Sequence, residues 1–307
     1  MFVAVAKQLV KSSQLLSECN SAPIFLFCSR RGGSTLLMQS LAVSTRSRYI
    51  DQPYSLYSAE SENHMRSIPF SSKSEMLFLD NEDEGKLRDF TEAMLEGEAV
   101  YNTAYRPWRE DYHLIAERVL LKITNAKSYV AKFDDWFKPV NIILLRNPVS
   151  VAKSCINNEW GLTTQAFLGN RYFCRDVLSE SLLRFCDDVE NTGSLLERHV
   201  LNWCLDHYIC IKTAPKDSVV IRYEDLVSGS HSVVAKLRSV IPELSEERFV
   251  ASLKRPSKSS SYSKHLRKTK KVDSTLIQSI IDPQLPESDM LGVKKIIAEF
   301  GVYDEYY

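Results

Sequence analysis

The chain lacks any apolar run approaching the ~18 residues that a membrane-crossing helix needs, so no membrane anchor is expected. It also lacks a charge imbalance. Thirty-nine Lys and Arg face thirty-nine Asp and Glu, which leaves no whole-molecule field to draw a nucleic acid or a membrane surface. Any anion site must therefore be local. The seven cysteines are odd in number and never stand in C-x-x-C spacing, and they read as buried thiols of a reducing compartment. The apolar run between Met1 and Lys11 is too short for a signal peptide, and no small-residue cleavage site follows it. A soluble cytoplasmic protein is expected. There is no H-E-x-x-H and no clustered Cys/His set, so no metal is expected. No Pro/Gly/Ser-rich linker and no internal repeat divides the chain, so residues 1–307 are expected to form a single domain.

What is present is 44% hydrophobic and 25% charged, enough to bury a full α/β core. Residues 23–28, 141–145 and 218–221 are short apolar runs without polar alternation, the signature of strands buried on both faces. Residues 119–123 are a fourth candidate. Two of these runs pass through loop chemistry into helical patterns, at 34–43 and at 149–157, the latter with Pro148 suited to a first helical turn. Alternation of strand, loop and helix implies a P-loop-like three-layer α/β fold, with a central parallel sheet flanked by helices. Apolar residues at helical spacing between 175 and 213 predict packing helices. The acidic stretch 63–111 has a mixed pattern and supports no assignment. Residues 255–271, with three consecutive serines and a dense basic run, predict a mobile loop.

The strand at 23–28 runs into Ser-Arg-Arg-Gly-Gly-Ser-Thr-Leu-Leu. Gly32 and Gly33 let the backbone turn tightly and approach an oxyanion, Ser34 and Thr35 add hydroxyl donors, and Arg31 adds a charged planar fork. No lysine follows Gly33, so the G-x-x-x-x-G-K-[ST] pattern of P-loop NTPases is not met. The segment resembles instead the 5′-phosphosulfate loop of sulfotransferases that use 3′-phosphoadenosine-5′-phosphosulfate (PAPS). Leu36 and Leu37 after it look more like the bacterial and carbohydrate-type enzymes than the cytosolic aryl type. A second element, IILLRNPVSVAKS, sets Arg146 at a strand end and Ser154 eight residues on, about two helical turns down, where both can meet one phosphate. In the family that phosphate is the 3′-phosphate of PAPS. VVIRYEDL resembles a third family element and implies that Tyr223 lies near the adenine. Lys122 precedes Arg146 by 24 positions and is similar to the family lysine that contacts the transferring group, but the histidine expected two residues after it is Thr124.

The resemblance implies PAPS as donor substrate and PAP as product, with a small-molecule or carbohydrate acceptor and no nucleic acid. Arg31 and Lys122 would stabilise the charge that develops on the leaving phosphate and the sulfuryl oxygens. An acceptor hydroxyl needs a base. The family's Glu-Pro segment here reads Asp51-Gln52-Pro53, and Gln52 cannot take a proton, which makes Asp51 the first candidate and His64 the second. Arg267 and Lys268 resemble the basic pair of the family's lid over the 3′-phosphate, although the glycine that follows there is absent. Tyr49, Tyr54, Tyr57 and Phe70 are either a pocket mouth or core. Two other function classes are consistent with the same loop: a P-loop kinase or NTPase of another kind, and a nucleotide-binding protein without chemistry.

Overall fold

The computed structural model describes residues 2–17, 21–55, 76–99, 102–228, 231–255 and 285–301. Along the chain come α1 (Phe2–Ser12), β1 (Leu15–Leu16), β2 (Ile24–Cys28), α2 (Ser34–Ser44), β3 (Ser47–Asp51) and α3 (Glu84–Glu96). They are followed by β4 (Ile115–Ala116), β5 (Arg118–Ile123), α4 (Val130–Phe137), β6 (Val140–Leu145) and α5 (Pro148–Asn157). Next are α6 (Thr164–Leu168), α7 (Arg171–Val177), α8 (Glu180–Thr192), α9 (Leu195–Thr213) and β7 (Val219–Arg222). The last are α10 (Tyr223–Val227), α11 (His231–Val240), α12 (Glu246–Leu253) and α13 (Glu287–Phe300).

Five strands form one all-parallel sheet in the order β3-β5-β2-β6-β7, while β1 and β4 make a separate two-stranded ribbon. β2 is central and wholly buried, which is why its sequence is a continuous apolar run. Its alternate side chains serve two cores. Phe25 and Phe27 join a cluster with Phe133 of α4 and with Val200 and Cys204 of α9, and the Phe25 and Phe133 rings meet edge to face at 5.5 Å. Ile24, Leu26 and Cys28 join Leu37 and Leu41 of α2, Leu237 of α11 and Phe249 of α12. A helical layer thus covers each face, giving the expected three-layer arrangement.

The four strands read from the sequence all form, within a residue or two of the expected ends. β3 does not follow from its sequence, because Ser-Arg-Tyr-Ile-Asp is polar for a buried strand. Its Arg48 is only 2% exposed and donates from Nη2 to the Met94 carbonyl at the end of α3. A strand-edge arginine that caps a neighbouring helix in this way carries no periodicity signal. The unassigned acidic stretch contains α3. Among the described residues no helix is long and apolar enough to cross a membrane, and the six described cysteines are free thiols.

Because all five strands are parallel, their carboxyl ends open on one edge of the sheet. The loops after β2, β3, β5, β6 and β7 gather there, where ligands of open α/β sheets bind.

Candidate functional site

The loop after β2 closes with Gly32 N–H donating to the Ser29 carbonyl at 3.3 Å and enters α2 at Gly33, which has φ 81°. That left-handed conformation is one glycine adopts without strain. A Cβ there would fall 2.0 Å from the Tyr223 ring, so the close approach of Tyr223 also requires glycine. No side chain caps the N-terminus of α2, and the N–H groups of its first turn stay free of a capping side chain. Arg31 has φ 58°, a conformation that costs a non-glycine residue about 1 kcal/mol or more and that collects at working sites.

Two contacts hold Arg31 in it. Arg146 donates from Nη1 to the Arg31 carbonyl at 2.7 Å, and Arg31 donates from Nε to the Ser154 hydroxyl at 3.0 Å. Arg146 leaves the end of β6, and Asn147 N-caps α5 by accepting from the Ser150 N–H at 3.1 Å, which sets the helix that carries Ser154. Glu224 accepts from the Asn147 N–H at 2.9 Å and ties this corner to the end of β7. The Arg146 guanidinium lies 4.9 Å above the Tyr223 ring. Its Nε is buried with no hydrogen-bond partner, and so is the Ser29 hydroxyl. Burial is the main influence on Arg146, holding it below its ordinary range, with Tyr223 and Glu224 opposing. Burial likewise raises the Tyr223 phenol, against the pull of Arg146.

On the other flank of β2, Lys122 is 2% exposed. Its Nζ lies 2.6 Å from Asp51 Oδ1, although the pair is poorly aligned as a hydrogen bond, and it donates to the Thr35 hydroxyl at 3.4 Å. Neighbouring strands β3 and β5 bring the two residues together, Asp51 being in register with Lys122. The candidate base and the candidate charge stabiliser are therefore in direct contact beside the first turn of α2. Thr124 donates to the Asn125 side chain at 2.5 Å.

No family model and no curated protein matches the chain. Solved structures resemble it, among them two sulfotransferase domains. One, from the curacin biosynthetic pathway, shares 18% identity over 93% of this chain and 99% of its own, with a TM-score of 0.42. The other, from the Synechococcus PCC 7002 olefin synthase, shares 16% identity over 92% of this chain and 96% of its own, with a TM-score of 0.38. At these scores the likeness bears on neither donor nor acceptor.

Arg31, Gly32, Gly33, Ser34, Thr35, Leu36, Lys122, Asp51, Arg146, Ser154 and Tyr223 thus share the carboxyl edge of the sheet. His64, Arg267 and Lys268, with most of the basic stretch 255–271, lie outside the described residues, as do Tyr57 and Phe70. Tyr49 and Tyr54 are core residues, 2% and 1% exposed, with hydroxyls bonded to Asp111 at 3.4 Å and to Thr91 at 2.8 Å. A cleft of about 260 Å³ opens instead along α2, between Leu36 and Gln39 on one side and Trp108, Arg109 and Arg255 on the other. Nothing in the sequence marks Trp108, which is 80% exposed at its rim.

Three further residues in or beside the loop carry no sequence signal. Arg30 stacks on the Trp160 ring at 4.1 Å, with Arg31 at 5.3 Å from the same ring. The third is Lys127.

Proposed function

We propose that this chain transfers the sulfuryl group of PAPS to a hydroxyl or amine of a small-molecule or carbohydrate acceptor by in-line displacement, in a reducing cytoplasmic compartment. The observation that carries this is the meeting of Arg31, Arg146 and Ser154 at one corner of the phosphate loop, through bonds of 2.7 and 3.0 Å. β2 and β6 are neighbouring strands, so the loops at their carboxyl ends meet, and Arg31, Arg146 and Ser154 lie close enough together to serve one anionic ligand. The buried, unpartnered Arg146 Nε and Ser29 hydroxyl fit an anionic ligand that supplies acceptor oxygens. The cavities beside Arg30 and Arg146 are small, about 40 Å³ and 10 Å³.

PAPS supplies an activated sulfuryl group with a phosphate as leaving group. Arg146 and Ser154 would hold the ribose 3′-phosphate, with Arg267 and Lys268 closing over it. The N-terminal turn of α2, with Ser34 and Thr35, would hold the 5′-phosphate, and Leu36 and Tyr223 would border the adenosine. Lys122, bonded to Thr35, would stabilise the charge that develops on the departing bridge oxygen. As the acceptor's oxygen or nitrogen bonds to sulfur and the bond from sulfur to the 5′-phosphate oxygen breaks, the acceptor's proton passes to the Asp51 carboxylate or, as second candidate, to His64. Before that transfer Lys122 would turn from Asp51 towards the bridge oxygen, freeing the carboxylate to take the proton.

PAP should raise the thermal midpoint without Mg²⁺, and ATP with Mg²⁺ should do little. A kinase or NTPase would give the opposite ranking, which would overturn the assignment. A binding-only protein is the second possibility, favoured by the Lys122–Asp51 contact of 2.6 Å, which occupies the carboxylate. Turnover of labelled PAPS with an acceptor panel, lost in Lys122→Ala, would exclude it.

A further inference from the structure

The root of the phosphate loop stands between two ion pairs, each with a buried lysine and a partly buried carboxylate. Lys122–Asp51 lies on one side, and Lys127–Asp206 on the other, each at 2.6 Å. Lys127 is 3% exposed and sits just after β5. Its ammonium has three donors, and three acceptors surround it. It donates to the Thr124 carbonyl at 2.6 Å and to the Cys28 carbonyl at 3.2 Å, and it pairs with Asp206 on α9. Thr124 follows the last residue of β5, and Cys28 is the last residue of β2. The next residue, Ser29, begins the turn that leads to Arg31 and Gly33.

Both ammonium charges act on the Cys28 thiol. Burial raises Cys28 most, and Lys122 and Lys127 both pull it down. The two pairs differ in what they hold. Lys122 touches the side chains of Thr35 and Asp51, which face the loop's far end. Lys127 touches the backbone on which the loop is built. Asp206 largely neutralises its charge, so Lys127 contributes geometry more than field.

We propose that Lys127 is a positioning residue for the phosphate loop, fixed by Asp206, and that it acts on the 5′-phosphate of the nucleotide through the Cys28 carbonyl. This rests on the nucleotide reading above. The ammonium locks together the ends of two adjacent parallel strands and anchors both to the long helix α9. A loop that begins one residue later inherits that fixed starting point. Displacing such a support moves a binding group that it never touches, as loss of an outer-shell partner does at metal sites, where affinity falls by roughly ten- to a hundredfold.

The test compares two nucleotides that differ at one end. PAP carries both phosphates, whereas 3′-AMP lacks the 5′-phosphate that the loop would hold. In Lys127→Ala, PAP affinity measured by calorimetry should fall roughly tenfold or more, with 3′-AMP affinity little changed. Added ethylamine or propylamine should restore part of the PAP affinity. Equal losses for both nucleotides, or no loss for either, would overturn the proposal. If Lys127→Ala does not fold, Asp206→Asn keeps the lysine and carries the same comparison. A stronger PAP affinity in Asp206→Asn would show that Lys127 acts through its charge and would also overturn it. Hydrogen exchange of the amides from Ser29 to Gly33 supplies a readout without ligand: it should rise in either variant, with α13 unchanged, and unchanged loop exchange would count against the proposal. Failure of wild type to bind PAP would instead sink the nucleotide assignment and leave the exchange result standing.

Discussion

At the scale of single residues, charge and close approach decide the site. Arg146→Ala should weaken PAP by about 1.5–3 kcal/mol, the worth of one hydrogen bond to a charged group, without unfolding the chain. Calorimetric titration checks this. Gly33→Ala meets two obstacles, a φ of 81° and a Tyr223 ring 2.0 Å from the new carbon. It should cost about 1–3 kcal/mol of stability in urea, and adding Tyr223→Ala should recover only the steric part. His207 links stability to pH. Its Nδ1–H donates to the Trp203 carbonyl at 3.0 Å, its Nε2 is buried without a partner, and burial is the main cause that takes its pKa down from 6.5 to about 4. Between those values the unfolded ring binds a proton and the folded ring does not, so stability rises with pH across this window. Acidification through it should cost roughly 3 kcal/mol from this group, a loss that His207→Gln should lack when unfolding free energies at the two ends are compared.

At the scale of elements, α9 organises the helical layer that carries Asp206. Its start is a capping box: the Ser194 hydroxyl accepts from the Glu197 N–H at 3.3 Å, and the Glu197 carboxylate accepts from the Ser194 N–H at 2.7 Å. Ser194→Ala should therefore cost about 1 kcal/mol. The cap is coupled to α13, where a Cβ on Gly292 would lie 2.0 Å from Glu197 Oε1. Gly292→Ala should push Glu197 off the cap. It should then cost less in a Ser194→Ala background than alone, a non-additivity that a double-mutant cycle in urea measures. The box was open to sequence reading, since Ser-x-x-Glu precedes an apolar run. Its coupling to a segment about a hundred residues later was not.

At the scale of the whole molecule, balanced charge and a local cluster of arginines make different salt dependences. The thermal midpoint without ligand should move little as sodium chloride is raised, whereas PAP affinity should fall, because Arg30 and Arg31 are only partly buried and their attraction is screened. A midpoint as salt-sensitive as the binding would show that long-range charge supports the fold itself.

Strands β2, β5, β6 and β7 were legible because each is a short, largely apolar run, unbroken in β2 and interrupted only by Lys122 in β5 and Asn141 in β6, and the loop after β2 was legible because its tight turn needs Gly33. These are local requirements, written where they act. By contrast β3 is polar, and its Arg48 is explained only by the Met94 carbonyl that it meets. Lys127 reads as any surface lysine until Cys28, Thr124 and Asp206 surround it. Sequence alone thus determined the parallel sheet and the loop at its edge. Tertiary structure decided which side chains from distant segments share that edge, because a contact between distant residues comes from packing and leaves no period or spacing in the chain.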